Sequence, residues 1–138
     1  MLPFAKKPFR LRLIKWWCKH LLSAFNIHVI TLGHIPSGTP PTGTMLVANH
    51  ISWADIHALN SVVPLRFIAK SEIKTWPIFG YLATKANALF IDRTKRHDAA
   101  RIVNATSRSL EDGDNLCVFP EGTTTDGTEI KPFKASAY

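Results

Sequence analysis

A chain of 138 residues that is 46% hydrophobic, with mean hydropathy near zero, is long enough for one compact core and short for two. A formal charge of +7 and a pI near 9.7 call for an anionic partner, the candidate classes being nucleic acid, phosphorylated metabolites and anionic lipid surfaces. No apolar run reaches the roughly 18 residues of a spanning helix, the start does not read as a secretory signal, and Cys18 and Cys117 lack the spacing of a zinc site or disulfide framework, so a reducing compartment fits best.

Six basic residues (Lys6, Lys7, Arg10, Arg12, Lys15, Lys19) precede the first acidic residue, Asp55. Over residues 11–25, Ile14, Trp17 or Cys18, Leu21 and Phe25 share one helical face, while Arg12, Lys15, Lys19 and Ser23 fall largely elsewhere. This predicts a basic amphipathic helix carrying a Trp pair. Residues 1–26 are read as a membrane-contacting segment, with ordinary packing on the domain as the alternative.

The alternating run Ile27–Leu32 predicts a half-buried strand, and the Pro-, Gly-, Ser- and Thr-rich stretch from Gly33 to Gly43 a loop. Met45–Ala48 suits a short buried strand leading directly into Asn49-His50. A helix is expected over 52–63 with Ser52 as its N-cap, then a strand over Leu65–Ala69 after Pro64. Past the Trp76-Pro77 break come a short helix over 78–85, a strand around Ala88–Ile91, a helix over 98–110 closed by Gly113, and a strand over Asn115–Phe119. The alternation predicts an α/β fold for residues 27–138, a mixed, largely parallel sheet flanked by helices with polar motifs where strands end.

Within Asn49-His50-Ile51-Ser52-Trp53-Ala54-Asp55 a histidine and a carboxylate stand five positions apart at a strand-to-helix junction. On one regular helix that spacing rotates them about 140° apart, so they meet only if His50 precedes the helix and Asp55 lies in its first turn. There the carboxylate orients the imidazole, whose other nitrogen is free to take a proton from a hydroxyl. With no G-x-S-x-G nucleophile elbow, the substrate's own hydroxyl is the attacking group. The competing reading is local: Ser52-x-x-Asp55 also matches a capping box. His57 reads as a surface or packing residue, and His20, His28, His34 and His97 form no ligand cluster, so no metal is expected.

Phe90-Ile91-Asp92-Arg93 ends a strand on an arginine suited to bidentate phosphate binding, and Lys70, also after a strand, adds a second positive charge. Phe119-Pro120-Glu121-Gly122-Thr123-Thr124 places a carboxylate and a small-residue turn after another strand. Glu121 is a candidate for glycerol-type hydroxyls, with Gly122 and Thr123 as donors. Taken singly, Lys70 and Arg93 read as solvated surface charges sooner than as ligands, and the Phe119–Thr124 segment as an ordinary turn.

Taken together, NHISWAD, FIDR and FPEGT, with Ala69, Lys70, Glu72, Pro77 and Gly80 between them, resemble the blocks of the lysophospholipid and glycerol-phosphate acyltransferase family. The resemblance runs from about Leu46 to Lys134. It implies a glycerol-phosphate acyltransferase-like fold, with His50 as general base and Asp55 as its partner. It further implies that Lys70 and Arg93 hold the acceptor's phosphate or polar headgroup, and that Glu121, Gly122 and Thr123 shape that pocket. No bound cofactor is implied; the donor is acyl-CoA or acyl carrier protein, and the acceptor a lyso-lipid. The leading acceptor is 1-acyl-sn-glycerol-3-phosphate, at a membrane surface facing the cytoplasm. Many relatives carry Arg-Ser after FPEGT where this chain has Thr124-Thr125, a form that also suits branches acting on lyso-ornithine lipid. Family members continue past Pro132-Phe133-Lys134, so a C-terminally truncated member is expected. The alternative from another class is a non-catalytic module binding anionic membranes. Nucleic acid is not expected, because the basic residues are not interleaved with aromatic platforms.

Overall fold

The computed structural model describes residues 7–33, 42–77, 79–85, 88–92 and 96–133. In chain order these form α1 (Lys7–Ala24), β1 (Met45–Val47), α2 (Trp53–Val62), β2 (Arg66–Lys70), a 3₁₀ turn (Ser71–Thr75), α3 (Phe79–Lys85), β3 (Leu89–Ile91), α4 (Arg96–Glu111) and β4 (Leu116–Val118).

The anticipated helix begins four residues earlier than expected, and its buried face is set by Cys18 and Leu22, four apart, rather than by Trp17, which is 52% exposed. This face packs on α2, and Lys15 Nζ donates to the Val62 carbonyl at 2.7 Å, satisfying an oxygen that the end of α2 leaves unbonded. Asn26, in the left-handed region at φ 54°, ends α1: Ile27 N reaches back to Leu22 O and Asn26 N to Ser23 O, both at 2.9 Å.

The strand expected over Ile27–Leu32 is not formed. Alternation signals a strand only where a neighbour completes the ladder; here no described segment pairs with it, and Ile30 and Leu32 are 80% and 90% exposed. Most of the loop expected after it, residues 34–41, lies outside the described residues.

The four described strands form one sheet in the order β1-β4-β2-β3, and every pairing is parallel. Val47 pairs with Val118 across β1 and β4, and Arg66 with Leu116 across β2 and β4. Parallel strands need crossovers, supplied by α2, by the 3₁₀ turn with α3, and by α4. The core gathers Leu65, Phe67, Cys117 and Phe119 against Ala48, Ile56, Leu59 and Val63. Full burial of each large apolar side chain contributes about 1.5–3 kcal/mol. Buried Asn60 accepts from Leu65 N at 2.8 Å, fixing the turn from α2 into β2.

At the N-terminal end of the sheet, Asp114 takes Arg66 Nη1 at 2.7 Å, Ser109 Oγ at 3.0 Å and Lys7 Nζ at 2.8 Å, tying α1, β2 and α4 together. Burial alone would raise the Asp114 pKa, but the hydrogen bonds from Lys7, Arg66 and Ser109, with the Lys7 charge, outweigh it and hold the carboxyl below its ordinary range.

Candidate active site

Because the four described strands run the same way, residues following them emerge at one edge of the sheet. His50 follows β1, Lys70 ends β2, Asp92 follows β3 and Glu121 follows β4. The parallel register brings two of these together: Val47 faces Val118, so His50 and Glu121, each the third residue past its partnered valine, leave the sheet side by side.

Ser52 is extended (φ −154°) and caps α2, its Oγ accepting from Ala54 N at 3.2 Å. This places Asp55 in the first turn and His50 just ahead of it, the arrangement in which the pair can meet. Asp55 Oδ2 lies 3.0 Å from His50 Nδ1, and also accepts from Ile51 N at 2.7 Å and Ser52 N at 2.9 Å. The capping and orienting roles, alternatives in the sequence, thus coexist on a single carboxylate oxygen. The side chains of His50 and Asp55 are 18% and 26% exposed. Among the described residues, no protein group takes His50 Nε2.

The imidazole lies flat on Phe119, ring centroids 4.1 Å apart and planes 13° apart, and Phe119 in turn stacks on Phe67 at 5.7 Å. His50 is also held through its main chain. Its N–H donates to Glu121 Oε1 at 2.7 Å, and its carbonyl accepts from Thr125 N at 3.0 Å. Glu121 is 1% exposed, and its other oxygen, Oε2, accepts from Lys131 N at 2.9 Å.

Gly122 adopts φ 71°, a conformation costly for other residues, and its N–H closes the turn onto Phe119 O at 3.1 Å. Thr123 is exposed beside it, and Lys70 is exposed at the end of β2. Arg93 lies outside the described residues. Gly80, from the Pro77–Gly80 segment, is buried at the start of α3 with no room for a Cβ against the carbonyls of Ile73 and Lys74. That segment therefore shapes the backbone. His57 is half-buried, its ring edge-on to Trp53 at 5.4 Å.

Sequence reasoning did not find Phe119 as the plate beneath the imidazole, nor the holds on the His50 main chain from Glu121 and Thr125. The available signal was the matched spacing after β1 and β4, which becomes readable only once those strands are known to be neighbours.

The described residues thus form a parallel α/β fold with a carboxylate-held imidazole at the C-terminal edge of its sheet. The Acyltransferase family model matches residues 26–138, and the chain belongs to that family. It is 42% identical over 127 residues to the lyso-ornithine lipid O-acyltransferase of Pseudomonas aeruginosa, covering 91% of this chain and 47% of that protein. It is also 42% identical over 103 residues to the 1-acyl-sn-glycerol-3-phosphate acyltransferase of Neisseria gonorrhoeae, covering 75% of this chain and 40% of that one. The crystal structure of the 1-acyl-sn-glycerophosphate acyltransferase PlsC from Thermotoga maritima superimposes with a TM-score of 0.74 at 25% identity, covering 99% of this chain and 55% of that one. The chain thus spans about half the length of the curated relatives it matches.

Proposed function

We propose that this domain moves a fatty acyl group from an acyl thioester to the hydroxyl of a lyso-lipid, with His50 as general base and Asp55 as its partner. The observation that carries the reading is the 3.0 Å contact of His50 Nδ1 with Asp55 Oδ2, which leaves Nε2 without a partner among the described residues. With its proton on Nδ1, donated to the carboxylate, the imidazole presents an unprotonated Nε2. That nitrogen takes the acceptor's hydroxyl proton as the hydroxyl oxygen attacks the thioester carbonyl carbon. Collapse of the tetrahedral adduct breaks the C–S bond, and the departing thiolate receives the proton back from the imidazolium. The Asp55 charge stabilises that imidazolium. No acyl-enzyme is required: Ser52 Oγ is occupied in capping, and Cys18 and Cys117 are buried in the core.

The leading acceptor is 1-acyl-sn-glycerol-3-phosphate, which would yield phosphatidic acid. Exposed Lys70, together with Arg93, would meet the headgroup, beside Gly122 and Thr123. Lyso-ornithine lipid is the second reading, favoured by Thr124-Thr125 and by the likeness to the Pseudomonas protein. The donor would be acyl-CoA or acyl carrier protein.

No helix among the described residues is long and apolar enough to cross a membrane. Exposed Phe9, Trp16, Trp17 and Phe25 on and just after basic α1, with Trp53 edge-on to Phe25 at 5.3 Å, support docking on an anionic lipid surface. The cytoplasmic face is part of the proposal and rests on the family resemblance. The test is incubation of the complete protein with radiolabelled acyl-CoA or acyl carrier protein and, in parallel, each lyso-lipid. One acceptor is expected to become labelled. No labelled lipid from any combination, with the protein folded, rejects the proposal.

A further inference from the structure

Glu121 reads from the sequence as a ligand for substrate hydroxyls, yet it is 1% exposed and both of its carboxylate oxygens face backbone donors. A carboxylate is costly to bury unless hydrogen bonds replace its water, and here two main-chain N–H groups do so. No Lys, Arg or His forms an ion pair with it among the described residues. The two donors belong to segments far apart in sequence: His50 N, just before the general base's own side chain, and Lys131 N, on the strand-free tail beyond β4. The same tail holds the His50 carbonyl through Thr125 N at 3.0 Å. Gly127, at φ 83°, lets the tail pass close to Ile51, whose Cδ1 would lie 3.4 Å from any Cβ placed there.

We infer that Glu121 is a positioning residue for the reaction, a buried clamp that fixes the main chain of His50 to segment 121–131 and so sets where Nε2 stands, and that it does not touch the acceptor. The inference rests on the proposed base role of His50. Asp55 fixes the rotation and tautomer of the ring, and Phe119 fixes its plane. Glu121 and Thr125 fix the peptide from which the ring projects. A carboxylate suits this place because each of its oxygens only accepts. An amide in the same position would turn its NH2 toward one of the two N–H groups.

The experiment is Glu121→Gln in the complete protein, with acceptor concentration varied and amide hydrogen exchange followed in parallel. The clamp predicts a kcat lowered about 10- to 100-fold with acceptor KM within about twofold, because a misplaced base slows chemistry without removing a binding contact. It also predicts that in the wild-type protein the His50 and Lys131 amides are protected although neither lies in a helix or strand. In the variant both should exchange faster together, while the Ile51 and Ser52 amides, held by Asp55, keep their protection. A roughly tenfold rise in acceptor KM with kcat unchanged would make Glu121 a substrate ligand and overturn the inference. So would unprotected His50 and Lys131 amides in the wild-type protein, a measurement that does not depend on the variant folding. Failure of the base assignment looks different: His50→Ala would then retain turnover, whatever the exchange pattern.

Discussion

Phe119 lies beneath His50 as a parallel plate, centroids 4.1 Å apart, while its other contacts belong to the hydrophobic core. One side chain is therefore both the last layer of the core and the floor of the site. Phe119→Leu keeps most of the buried volume, so a stability loss below about 1.5 kcal/mol is expected in denaturant melts. The flat support is lost, however, and kcat should fall further than stability alone accounts for. Equal activity in the folded variant would show that the plate has no part in orienting the ring.

Asp55 and His50 can be separated by mutation because only Asp55 also caps α2. His50→Ala is expected to abolish transfer with the melting temperature nearly unchanged. Asp55→Asn can still present an oxygen to the Ile51 and Ser52 amides but removes the charge, so turnover should drop about 10²–10⁴-fold with little loss of stability. Asp55→Ala removes both roles and should cost a further 0.5–2 kcal/mol, roughly the worth of a cap. Kinetics and melts on the three variants check the order.

The carboxyl of Asp114 titrates below its ordinary range because its hydrogen bonds and the Lys7 charge overcome the effect of burial. A depressed folded pKa contributes stability above the unfolded value, and that stability is lost as pH falls through the folded one. Unfolding free energy should therefore decline below about pH 4. In Asp114→Asn this decline should be shallower, and stability at neutral pH lower by about 1–3 kcal/mol. Urea titrations between about pH 2 and 7 measure both.

Burial pushes the thiols of Cys18 and Cys117 up to about 11 and about 12. At pH 8 both are protonated and enclosed, so a disulfide-exchange reagent should label neither in the folded protein and both after denaturation. Rapid labelling of either native thiol would contradict the packing of α1 on α2 or of β4 within the sheet.

Gly80→Ala places a methyl group against the carbonyls of Ile73 and Lys74, which are backbone and cannot swing aside. A loss of about 1–3 kcal/mol is expected, read as a lowered urea midpoint.

Most of the element order was legible, because Ser52, Pro64, Gly113 and the short apolar runs ending in polar motifs are local signals that the fold obeys. What depended on distant partners was not. Ile27–Leu32 alternates like a strand but has no described neighbour, and the choice between Trp17 and Cys18 was settled by which of them α2 covers. The 3₁₀ turn over Ser71–Thr75 carries no strong periodic signal. At the site, His50 and Asp55 were readable from their spacing, since a cap at Ser52 forces them together. Glu121 was visible as a motif residue, but its burial follows from the pairing of β1 with β4, which one sequence does not display.

The equal tails beyond Val47 and Val118 bear on which length changes the chain can absorb. An insertion in a connection remote from both leaves His50 and the Glu121 carboxylate that accepts its N–H level with each other. One residue gained or lost between Val47 and His50, or between Val118 and Glu121, would offset them by a backbone step of about 3.3 Å, more than a hydrogen bond can bridge. Single-residue indels in those two short tails should thus be tolerated less well than many substitutions in the core.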